Sequence, residues 1–97
     1  MVEKWWLYML ECRGGGVYVG ITKDVTKRYA QHCRGVGAKY TQTHPPMRIL
    51  ARLPYPDYGA ARKAELLVKH LKPRLKMEWA TRIGREGQVF PIPGTGN

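Results

Sequence analysis

From Trp5 to Glu11 every position before the final glutamate is aromatic or aliphatic, and from Val17 to Ile21 every position except Gly20 is β-branched or aromatic. Between these runs lies Cys12-Arg13-Gly14-Gly15-Gly16, rich in residues that accept positive φ, so the two read as strands of a hairpin. The period then changes. Thr22 or Asp24 can cap a helix that runs to about Cys33 and offers Val25, Tyr29 and Ala30 for packing. The stretch Arg34-Gly35-Val36-Gly37-Ala38-Lys39-Tyr40-Thr41 reads as a glycine-rich loop, and His44-Pro45-Pro46 breaks any helix. Met47 to Leu53 alternates as a third strand.

Asp57 can cap a second helix to about Lys72, with an apolar stripe of Ala60, Ala64, Leu67, Val68 and Leu71 and with Glu65 at its border. Pro73 opens a last short helix, with Leu75 and Trp79 four apart and Gly84 as its stop. Residues 85–97, rich in glycine and proline, read as a flexible tail behind one domain at 1–84. The order β-β-α-β-α-α predicts an α+β fold, a three-stranded, mostly antiparallel sheet flanked by helices.

Charge narrows the class of partner. Seventeen Lys and Arg against seven Asp and Glu give 97 residues a net charge of +10, more than solubility needs, so a polyanion is expected. With 43% hydrophobic residues the charge belongs to a folded domain and not to a disordered basic tail. No stretch approaches the roughly 18 apolar residues that span a bilayer, which favours nucleic acid over membrane. Cys12 and Cys33 are too few for a disulfide scaffold and lack C-x-x-C spacing, so we expect half-buried thiols, no zinc and a cytoplasmic location.

Tyr8 and Tyr18 lie ten residues apart across the glycine run, followed by Arg28 and, four residues later, His32 on one helix face. Taken singly, each has a plain structural reading: a strand tyrosine packs a core, a helical arginine is solvated, and Glu65 pairs with Arg62 or Lys69. Their order is more informative. A phenol can exchange a proton and a guanidinium can hold a phosphate, which suggests chemistry on a phosphodiester.

Trp6-Leu7-Tyr8, Tyr18-Val19-Gly20, Arg28, His32 and the helical Glu65 within Ala64-Glu65-Leu66-Leu67 resemble the GIY-YIG nuclease superfamily, particularly its small stand-alone bacterial members, over about residues 5 to 80. Trp6 and Leu7 replace the glycine and isoleucine of the first motif. Lys76 stands near the place of an asparagine that often follows the glutamate helix.

The resemblance implies DNA phosphodiester hydrolysis with one divalent metal, Mg²⁺ or Mn²⁺, held by Glu65. Arg28 would contact the scissile phosphate, and His32 would orient phosphate, water or a tyrosine. Tyr8 and Tyr18 are both candidates for activating water, with preference for Tyr8. A free phenol, with its pKa near ~10, is a poor base at neutral pH, so Arg28, the metal and Lys23 or Lys27 are expected to favour phenolate.

Lys23, Lys27, Arg34, Lys39 and Tyr40 are the expected DNA contacts, the last two suited to unpaired bases. Single-stranded, branched and duplex substrates stay open, because phosphate contacts carry no base information. A monomer is favoured, with targeting lent by a protein partner. The alternative is a non-catalytic nucleic-acid-binding module of the same fold.

Overall fold

A computed structural model describes residues 4–86. The elements are β1 (Trp5–Cys12), β2 (Val17–Thr22), α1 (Val25–Cys33), α2 (Lys39–Thr43), β3 (Pro46–Tyr55), α3 (Tyr58–Lys69) and α4 (Pro73–Glu86). The three strands form one antiparallel sheet in the order β2-β1-β3, flanked by helices in the expected α+β architecture. Because β1 is central and covered on both faces, it reads as an unbroken apolar run instead of an alternating one. Leu7 and Met9 point to one face and join Val19, Leu53, Val68 of α3 and Trp79, Ala80 and Ile83 of α4. Tyr8, Leu10 and Cys12 point to the other, where Val25 and Tyr29 of α1 cover them.

The hairpin closes as its glycines suggest. Gly14 and Gly15 take φ of 97° and 91°, a region a Cβ makes costly, and Cys12 N donates to Gly16 O at 2.9 Å. Both cap candidates of α1 contribute: the Asp24 carboxylate accepts from Lys27 N at 3.0 Å, and Thr22 Oγ1 accepts from Asp24 N at 3.2 Å. Asp57 caps α3 by accepting from Ala60 N at 2.8 Å.

Several local expectations change. The stretch read as a glycine-rich loop includes the start of α2, a turn-sized helix ended by the His44-Pro45 break. The buried stripe of α3 is Ala61, Ala64, Glu65 and Val68, so Leu67 faces out and Glu65 lies inside the stripe, not at its border. Two alanines in that stripe let the helix axis come close to the sheet, and longer residues turn outward. β3 runs from Pro46 to Tyr55, tolerating Pro46 and Pro54 because it is an outermost strand, and a register shift at Leu50 sends both Leu50 and Ala51 to the core.

Gly84 does not stop α4, which continues to Glu86. A Cβ at residue 84 would run into the carbonyl oxygen of Leu50, so glycine serves close approach of helix to strand. Residues 85 and 86 thus belong to α4, and the remainder of the expected tail, 87–97, lies outside the described residues. Cys12 is fully buried and Cys33 exposed, in place of two half-buried thiols. Among the described residues, no helix is long and apolar enough to cross a membrane.

Candidate active site

Strand register sets the site. Tyr8 stands opposite Gly20 and Tyr18 opposite Leu10, so the tyrosines share a face, offset by one same-face position, with ring centroids 6.2 Å apart. A Cβ at Gly20 would lie 2.6 Å from Tyr8 Oη, so the Tyr8 ring can lie across β2 only because residue 20 has no side chain. The glycine of Tyr18-Val19-Gly20 therefore serves the other tyrosine. Across it, Tyr8 Oη meets His32 Nε2 of α1 at 2.8 Å, and the Tyr18 ring centroid lies 5.0 Å from that of the imidazole. Arg28, one turn earlier on α1, is half-buried and donates from Nη1 to Gln31 Oε1 at 3.0 Å.

The electrostatics of the pair run against a standing phenolate. Burial pushes the Tyr8 phenol well above its ordinary range and Tyr18 adds to the rise, while the hydrogen bond and charge of Arg28 oppose it without prevailing. Of the cations expected to favour phenolate, Arg28 by itself does not do so at Tyr8, because desolvation of a side chain 1% exposed outweighs one guanidinium. Lys23 instead lies over the Trp5 ring, 5.5 Å from its centroid, and Lys27 is exposed. Burial, then Arg28, lowers His32 below its usual value, so the imidazole is neutral at pH 7.

Glu65 approaches from the other layer. The residue is 6% exposed; Oε1 accepts from Arg62 Nη1 at 2.6 Å and Oε2 lies 3.1 Å from Lys69 Nζ. A buried carboxylate is costly unless paired, and these two cations supply the pairing. Lys69 also lines a groove of about 340 Å³ along the outer side of β2, shared with Tyr18, Tyr40 and Lys76. Lys76 is held below its usual value by burial and then by Lys69. The fold thus unites Tyr8, Tyr18, Arg28 and His32 on one face, and Glu65 is linked to the groove beside Tyr18 through its ion pair with Lys69.

Among the described residues there is no group of three or more His, Cys, Asp or Glu able to hold a metal ion. A cation here would rest on Glu65 together with waters and phosphate oxygens, a donor set that suits Mg²⁺. Glu65 fits that role. Its position is fixed by the packed stripe of α3, each oxygen keeps a lone pair beyond its ion pair, and the paired Arg62 and Lys69 side chains are 45% and 43% exposed.

The expected DNA contacts lie around α1 and α2. Lys23 precedes α1, Lys27 is within it, Arg34 caps its C-terminus, and Lys39 and Tyr40 open α2. Tyr40 stacks on Tyr18 (6.2 Å, 20°) and on His44 (4.4 Å, 13°), so it extends the tyrosine face outward. Sequence reasoning missed Thr41, buried against His32, and Gly37, whose Cβ would collide with the imidazole. The paired glycines around Val36 were the available signal, read only as part of a glycine-rich loop when they permit a tight return.

Residues 4–78 match the family model described as the GIY-YIG catalytic domain. The chain is 44% identical over 81 residues to a UPF0213 protein of Cupriavidus pinatubonensis, covering 84% of this chain and 90% of that one. It is 47% identical over 82 residues to a UPF0213 protein of Xanthomonas campestris, covering 84% and 80%. The solution NMR structure of a UPF0213 protein from Bacillus halodurans superposes with a TM-score of 0.55 at 37% identity, covering 87% of this chain and 89% of that one.

Proposed function

This chain belongs to the GIY-YIG catalytic-domain family, and from that premise we propose that it is a metal-dependent endonuclease hydrolysing DNA phosphodiester bonds. The observation that carries the reading is the buried Tyr8 hydroxyl, 2.8 Å from Nε2 of a neutral His32, with Arg28 acting on both. A phenol held protonated by burial is a poor free base, but its oxygen can still accept a proton if its own proton leaves at the same time. Water attacking phosphorus gives its proton to Tyr8 Oη as the Tyr8 proton passes to His32 Nε2. The phenol stays neutral and His32 ends as imidazolium.

This route avoids the desolvated phenolate that burial penalises, and it gives the water-activating role to Tyr8. Tyr18, half-buried and lining the groove, orients the phosphate. Arg28 donates to the phosphate and stabilises the charge of the pentavalent transition state. Glu65 would hold the divalent cation, which when bound neutralises the phosphate and stabilises the leaving oxygen.

Labelled single-stranded, duplex and branched oligonucleotides, incubated with and without Mg²⁺ or Mn²⁺, test the activity. Glu65→Ala should abolish cleavage while binding persists, and wild-type cutting by that variant would overturn the assignment. Binding without metal-dependent cleavage on every substrate would instead support the non-catalytic module.

A further inference from the structure

We propose that Thr41 is a positioning residue that fixes the tautomer of His32, leaving Nε2 bare to face the Tyr8 hydroxyl. Its catalytic consequence rests on the roles given above to Tyr8 and His32; the tautomer itself does not. Arg34-Gly35-Val36-Gly37-Ala38 carries the chain from α1 to α2. α1 ends as Arg34 N donates to Ala30 O and Gly35 N to His32 O, and Gly35, at φ 79°, turns the chain back. Gly37 then lies flat against the imidazole, where any Cβ would collide with the ring beside Nδ1. This close return brings α2 behind His32, with Thr41 turned inward at 1% exposure.

Proton accounting gives the direction of each bond. Thr41 Oγ1 is 2.8 Å from Ala38 O and 2.8 Å from His32 Nδ1. A carbonyl oxygen only accepts, so the single hydroxyl proton of Thr41 goes to Ala38 O, and Nδ1 must donate its N–H to Thr41 Oγ1. The Ala38 amide points its N–H at the same Nδ1 from 3.4 Å, the longest contact of the set, and a protonated Nδ1 gives up this one weak bond to keep the 2.8 Å bond to Thr41. With Nδ1 protonated and the ring neutral, Nε2 carries only a lone pair, and Tyr8 Oη donates to it at 2.8 Å. The chain Tyr8 to His32 to Thr41 to Ala38 therefore points one way, and its far end is a backbone carbonyl that cannot turn over. Valine is close to threonine in volume and lacks only the hydroxyl, so Thr41→Val removes the bond with little change in packing volume.

Long-range ¹H–¹⁵N spectra of the full chain, free of DNA and added metal, read the tautomer directly, since the sequence has only three histidines. The wild type should show His32 with Nδ1 protonated and Nε2 bare. Thr41→Val should move His32 toward the Nε2–H form, and Thr41→Ser should keep the wild-type pattern. In cleavage assays Thr41→Val should lower kcat about 10–100-fold with KM little changed, as loss of an outer orienting partner does, and Thr41→Ser should restore it. A wild-type His32 with Nε2 protonated would overturn the proposal, as would a Thr41→Val protein with the wild-type nitrogen pattern. If Thr41→Val fails to fold, the wild-type and Thr41→Ser spectra still decide. If the wild type cuts no oligonucleotide, the nuclease reading falls while the spectra still test the tautomer.

Discussion

Leu7 and Tyr8 are chain neighbours on β1 and each is 1% exposed, yet the two faces they enter are built differently. Around Leu7 are aliphatic and aromatic side chains from β2, β3, α3 and α4, held by contact area that has no preferred direction. Around Tyr8 are the imidazole of His32, joined to its hydroxyl by a hydrogen bond with a donor and an acceptor in fixed places, the nearby guanidinium of Arg28 and the ring of Tyr18. Each face also has a glycine that permits close approach. Gly84 lets α4 touch the β3 backbone, and Gly20 lets Tyr8 reach across β2. The difference teaches that one strand can serve two cores, an aliphatic one at its odd positions and, at its even positions, a smaller one of Leu10, Cys12 and Val25 that also holds the hydrogen-bonded hydroxyl of Tyr8.

Substitutions of the neighbouring pair probe that division most strongly. Tyr8→Phe keeps the ring and removes the relay, so cleavage should fall about 10²–10⁴-fold while the melting curve moves little. If initial rates stay at wild-type level, the even face is not the chemical one. Leu7→Ala should do the reverse, costing about 2–5 kcal/mol in denaturant titrations with unchanged activity per folded molecule.

The two glycines sharpen the contrast. Alanine at 84 meets a backbone carbonyl that has little room to move, and alanine at 20 meets the Tyr8 side chain, so both should destabilise by about 1–3 kcal/mol. We expect Gly84→Ala to be the worse for stability and Gly20→Ala the worse for kcat, a crossing that paired melts and rates would reveal.

Acidity gives a gentler probe. His32 is depressed below 6.5 in the fold, so its contribution to stability is present above that value and is lost as pH falls through the folded pKa. Protonated Nε2 cannot accept from Tyr8, so cleavage should decline over the same window, with a midpoint below 6.5 in a rate profile. A midpoint above that value would contradict a buried, neutral His32. The smallest effect is expected at Asp24→Ala, about 1 kcal/mol from losing the α1 cap, seen by thermal melting and with little change in rate.

The strands, the hairpin and both aspartate caps were legible because each depends on near neighbours: alternation, paired glycines, a carboxylate three residues before its amide. The grouping of Tyr8, Tyr18, Arg28 and His32 was legible from strand and helix spacing. What escaped depends on contacts between distant segments. Gly84 looks like a helix stop until Leu50 is brought against it, and Glu65 looks like a border residue until the α3 alanines set the depth of the helix. The state of Tyr8 escaped for the same reason, since net charge is readable along the chain and desolvation is not.

The sheet order leaves two strands without an outer neighbour among the described residues, and they are guarded against aggregation unequally. β3 carries Pro46, Arg48, Arg52 and Pro54, which block or repel an added strand. β2 runs Val-Tyr-Val-Gly-Ile-Thr with neither proline nor charge, so its protection comes from Lys69 and Lys76 beside it and from the mutual repulsion of chains at +10. Such protection is colloidal and fades as salt shortens the screening length to ~3 Å near 1 M. Light scattering should accordingly show self-association rising with ionic strength and relieved by Val17→Lys, and a scattering curve flat with salt would show that β2 is shielded by packing alone.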